Sequence, residues 1–163
     1  MNVVFVLKTI HILSGAVLFG TGLGIAFFMF MADRTKDPAI IAKVGRAVVL
    51  ADLLFTATAV VVQPLTGMAL ASAEGFDLES GWLVTTYGLY LFVGLCWLPV
   101  LWLQKRMTDL AASAAVANQP LPATYRMLFR FWFWLGWPAF ISVIAIYWLM
   151  VAKPALRLAM ATV

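Results

Sequence analysis

Apolar residues fall in four long blocks, roughly Val4 to Met31, Val48 to Ala71, Trp82 to Leu103 and Phe131 to Ala152, separated by short polar stretches. A membrane-spanning helix needs about 20 mostly apolar residues, and each block meets that length. The pattern predicts an all-α fold: a polytopic membrane protein whose four transmembrane helices form one bundle, a single domain over residues 1–163. Asp37–Pro38 reads as an N-cap followed by proline at the first helical position, so the second helix is expected to begin near Pro38 and run in through Arg46. Pro64 is expected to kink that helix near Gln63. DLAASAAVA, a good helix former, carries the third helix beyond the bilayer through Met107 and Ala115 until Asn118, Pro120 and Pro122 stop it. Helices two and three are therefore expected to extend past the membrane on the cytoplasmic side.

The polar positions inside the blocks carry the chemistry. Lys8 and His11, three apart, share one face of the first helix, and Gly15 and Gly22 continue it. At a rise of about 1.5 Å per residue His11 lies roughly 12 Å below the outer boundary. Gln63 and Thr66 on helix two, Tyr87 and Tyr90 on helix three and Tyr147 on helix four fall at a similar depth. These groups predict a polar pocket in the outer half of the bundle. Lys8 either belongs to that site or extends its ammonium to the outer interface. Asp52 belongs to a separate inner layer. Arg46, Arg130 and Gln104 are its natural partners, and an ion pair that fixes packing is preferred there to a proton-carrying role. Gly20-Thr21-Gly22-Leu23-Gly24 looks like a phosphate loop as a string, but no strand precedes it, so Gly20 and Gly24 read as a close helix contact. The tryptophans between Arg130 and Phe140 read mainly as an interfacial belt.

Composition agrees: 64% of residues are hydrophobic and 11% charged, against about 45–50% apolar in soluble domains. The first block, with Lys8 in its middle and no basic leader, reads as a retained helix and not a cleaved signal. Eight of the eleven basic residues fall in the first and third connections, and the second holds Glu74, Asp77 and Glu79. By the positive-inside rule both termini face the outer, periplasmic side of a bacterial inner membrane; Lys153 and Arg157 oppose that assignment. The net charge of +4 belongs to loops, so no nucleic acid is expected as a partner. A single cysteine, Cys96, excludes an intrachain disulfide and a thiolate metal site. No nucleophile triad or paired carboxylates occur.

His11, the only histidine, has two readings. One is a buried neutral imidazole hydrogen-bonded to a Tyr, Gln or Thr of a neighbouring helix. The other is an axial ligand to haem iron, a common task for neutral imidazole in helical bundles. Six-coordination would then call on Met68, on a substrate or water, or on His11 of a second copy.

Leu7–Lys8-x-x-His11–Ile12–Leu13, Gln63–Pro64-x-Thr66–Gly67–Met68, Gly81–Trp82–Leu83, the run from Trp97 to Gln104 and Ala152–Lys153–Pro154 together resemble a bacterial family of predicted four-helix integral membrane proteins (domain of unknown function 2269). More distantly, the Lys8-x-x-His11 pair resembles the first helix of the HemJ-type protoporphyrinogen oxidases and the CopD-like membrane proteins. Pro64, Gly67, Pro138 and Lys153–Pro154 resemble later parts of that fold. The resemblance implies haem b at His11 and oxidation of a porphyrinogen ring. Where HemJ-type chains carry a lysine after W-L-x-x, this chain reads Trp82–Leu83–Val84–Thr85–Thr86.

Three functions follow as expectations. The first is a haem b-binding membrane redox protein, an oxidoreductase exchanging electrons with quinone or acting on porphyrin. There His11 ligates the metal, Lys8 pairs with a propionate, and Gln63, Met68, Tyr90 and Tyr147 line the cofactor. The second is a non-enzymatic subunit that assembles as a homo-oligomer or within a larger membrane complex. The third is a proton or solute pathway through His11, Gln63 and Asp52.

Overall fold

Asp37 sets the first connection as its spacing predicts. Its carboxylate accepts from the backbone N–H of Ala39 at 2.8 Å and of Ile40 at 3.3 Å, with Pro38 at the first helical position. The preceding helix ends at Lys36, whose left-handed backbone (φ 56°) returns its N–H to the Asp33 carbonyl at 3.1 Å. The computed structural model describes residues 2–154. They form four helices and, among the described residues, no strand: α1 Val3–Thr35, α2 Pro38–Ala73, α3 Gly81–Val116 and α4 Ala123–Ala152. All four are long and apolar enough to cross a membrane. The extension past the apolar blocks is wider than expected: α1 runs on to Thr35, and α4 begins at Ala123, directly after Pro122. The added turns of α4 are helical because Tyr125 and Leu128 have a core to enter.

That core lies at the end of the bundle carrying the two basic connections. Met29, Ile41, Met107 and Tyr125, one from each helix, are all 0% exposed there. Gly45 lets α2 approach α3 closely, since a Cβ at Gly45 would overlap the Thr108 side chain. The opposite, acidic end has a smaller core of Ala71, Trp82, Leu83 and Leu149. Lys153, at the end of α4, sits 4.2 Å from the centre of the Phe76 ring and 6.0 Å from that of Trp82. Arg157 lies outside the described residues.

Between these ends the helices pack as two pairs, α1 with α2 and α3 with α4, and the first half of α2 also packs on α3. Contacts between α1 and α4 run through aromatic rings: Phe19 with Phe140 and Tyr147 at 5.6 and 5.7 Å, and Phe30 with Phe133 at 6.0 Å. A cavity of about 330 Å³ is left at the waist. Gly20 and Gly24 do not make the expected close contact, for nothing lies within 4 Å of a Cβ built on either.

In α2 the α-helix is continuous through Pro64, and one π turn that the sequence did not predict lies at Asp52–Thr56, where the Ala57 N–H bonds to the Asp52 carbonyl. Pro64 has no N–H to offer the Val60 carbonyl one turn back. The Tyr90 hydroxyl of α3 supplies the missing donor, at 2.7 Å.

Candidate functional site

Two polar layers lie inside the bundle. Toward the acidic end α1 presents His11 and Ser14 to Gln63 and Thr66 of α2. His11 Nδ1 stands 3.0 Å from Thr66 Oγ1, and Ser14 Oγ donates to Gln63 Oε1 at 2.5 Å. The single hydrogen of the Thr66 hydroxyl is directed to the Val62 carbonyl at 2.7 Å. With that hydrogen on Val62, Thr66 Oγ1 would accept from His11 Nδ1–H, the assignment that places the lone pair of a neutral imidazole on Nε2. Two glycines bring the helices this close. A Cβ on Gly67 would stand 3.0 Å from His11 Cε1, and one on Gly15 would meet the Gln63 amide at 2.8 Å and the Tyr147 hydroxyl at 3.2 Å.

The expected pocket residues divide. His11 and Gln63 come together with the Tyr147 hydroxyl beside them. Lys8 points to the acidic end and pairs with Glu74 at 2.5 Å. That hydrogen bond, together with the charges of Lys8 and Lys153, holds the Glu74 carboxyl below the usual carboxylate range. Met68 is 46% exposed on the outside of α2. Tyr90 is committed to the Val60 carbonyl. Ser14 escaped sequence reading, because a lone serine in an apolar block carries no periodic signal.

The second layer is built on the π turn. Asp52, 3% exposed, accepts from Trp97 Nε1 at 3.3 Å. In the amide orientation that satisfies its neighbours, Gln104 donates to Asp52 Oδ2 at 2.6 Å and accepts from Trp132 Nε1 at 3.2 Å. Of the partners expected for Asp52, Gln104 is present and the two arginines are absent: Arg46 and Arg130 are exposed at the basic end. The ion pairs among the described residues are Lys8–Glu74, Lys36–Asp33 and Lys105–Asp109. Asp52 thus sits in neutral company. Asp52, Thr56, Tyr90, Trp97, Gln104 and Trp132 all line the waist cavity.

A family model described as predicted integral membrane protein (DUF2269) matches residues 5–154. The chain belongs to that family. No curated protein and no solved structure matches it. The family match spans both polar layers, from Lys8 and His11 to Lys153.

A haem at His11 meets a mixed site. A Thr66 anchor at Nδ1 suits a metal-bound imidazole, while the ring lies close to Gly67, and His11, Lys8 and Met68 do not border the waist cavity.

Proposed function

We propose that this membrane protein binds a small apolar molecule within the bilayer, in the waist cavity. The reading is carried by the construction of that space. At about 330 Å³ it falls in the range of ligand sites, and residues of all four helices line it. Gly22, Gly94 and Gly136, from α1, α3 and α4, border it, and a Cβ on any of them would meet nothing within 4 Å. The room is therefore made by side chains that are missing.

Titration of the purified chain in lipid nanodiscs with a neutral, environment-sensitive naphthalene dye tests this. We expect saturable binding of one dye per chain, weakened about tenfold or more by Gly94→Leu and unchanged by Gly20→Leu, since Gly20 does not border the cavity. Absent binding, or equal binding by all three proteins, overturns the reading.

The Thr66 contact at His11 Nδ1 favours a second reading, a haem b-binding redox protein in which His11 would hold the iron. A Soret band in the purified protein that His11→Ala abolishes supports it, and a colourless protein overturns it.

A further inference from the structure

We infer that the occupant of the waist cavity is a lipophilic organic cation, an ammonium or a related onium group, with Asp52 as its counter-charge. The inference rests on the reading that the cavity binds a small molecule. Asp52 lies six residues beyond Arg46, so about 9 Å deeper along α2. A carboxylate at that depth persists only with a proton or a cation to neutralise it. It has two oxygens and about four acceptor positions, and the groups near enough to donate to them, Trp97, Gln104 and Thr56, are all neutral. The groups that bond to it or border the same cavity carry no charge: Trp97 and Gln104 on α3, Trp132 behind Gln104 on α4, Thr56 on its own helix, and apolar Ile25, Ala26 and Phe30 on α1.

A second observation points the same way. The Thr56 hydroxyl, on a residue 5% exposed and bordering the same cavity, stands beside the Asp52 carboxyl and makes no fully formed hydrogen bond. Buried hydroxyls are rarely left so. Carboxyl and hydroxyl occupy the two ends of the π turn, giving with Gln104 a polar corner in a space otherwise walled by aromatic and aliphatic groups. Trp97, Trp132, Tyr90 and Phe133 offer ring surfaces, whose negative faces attract a diffuse cation. A bare metal ion is poorly served, since no group of three His, Cys, Asp or Glu occurs among the described residues. An organic cation needs one counter-charge and apolar walls, and both are present. Its entry displaces the proton that otherwise neutralises Asp52, so one positive charge arrives, one leaves, and the interior stays neutral.

Benzyltrimethylammonium and its uncharged carbon isostere neopentylbenzene provide the test, with the full chain in nanodiscs at fixed ionic strength. We expect the cation to bind about tenfold or more tightly than the isostere. Asp52→Asn, which keeps the size of the side chain, abolishes that preference and leaves the isostere bound; Gly94→Leu weakens both. On the unmodified chain, the cation removes one protonated-carboxyl infrared band and the isostere does not, a readout that needs no variant. Equal affinity for the two compounds, a preference that survives Asp52→Asn, or a band that persists with the cation bound overturns the inference. Binding of the isostere without the cation overturns it while leaving the cavity reading standing. Failure of both compounds, together with a neutral dye indifferent to Gly94→Leu, removes both readings.

Discussion

At the scale of single residues, the fold is organised by where each polar atom finds a partner in a medium that supplies none. Pro64 leaves the Val60 carbonyl unpaired, and the Tyr90 hydroxyl closes the gap from another helix at 2.7 Å. Tyr90→Phe is expected to cost about 1–3 kcal/mol, the penalty of a buried acceptor left empty. In a Pro64→Ala background, where the backbone amide of residue 64 can bond to Val60, the same change should cost clearly less; a double-mutant cycle on detergent unfolding measures the difference. Lys8 and Glu74 give a second test. Because the Glu74 carboxyl is held low by Lys8, the contact's contribution is present above the ordinary carboxylate pKa and lost as pH falls through the lowered one. Acidifying from about pH 6 to about pH 3 should lower the thermal midpoint of the native chain more steeply than that of Lys8→Met. His11 and Gln63 were legible as one layer because helical depth can be counted along the sequence. The tasks of Met68 and Tyr90, and the choice of Glu74 as the partner of Lys8, were not, since they depend on rotation about the helix axis and on which neighbour holds the nearest unpaired atom.

At the scale of elements, α2 carries most of the specification. Its start was legible in Asp37–Pro38, where capping chemistry is local. Its π turn was not: nothing in the string Asp52-Leu53-Leu54-Phe55-Thr56 announces an extra residue in the turn. The extension of α4 back to Ala123 was also missed, because apolar blocks mark the bilayer and the helices continue beyond it. Where α2 crosses α3, Gly45 lies under the Thr108 side chain, which donates to the Gln104 carbonyl at 2.8 Å. Gly45→Ala is expected to destabilise: overpacking costs about 1–3 kcal/mol, against about 1 kcal/mol gained in helix propensity. Thr108→Ala in the same chain should restore much of the loss, as read from the thermal midpoint.

At the scale of the whole molecule, four spans and their order were legible from the apolar blocks, but the distribution of packing was not. Hydropathy reports which segments leave water and is blind to the space between them. The bundle has a four-helix core at one end, a smaller one at the other, and aromatic spacers between α1 and α4 at its waist. This arrangement dictates the route to Asp52. With a packed core toward each end, and with Leu23 and Trp137 of the cavity lining 49% and 48% exposed, the proposed ligand is expected to enter sideways from the acyl chains. Occupancy then tracks how much of a compound dissolves in the membrane and not how much stays in water, so apparent affinity should shift with the lipid-to-protein ratio.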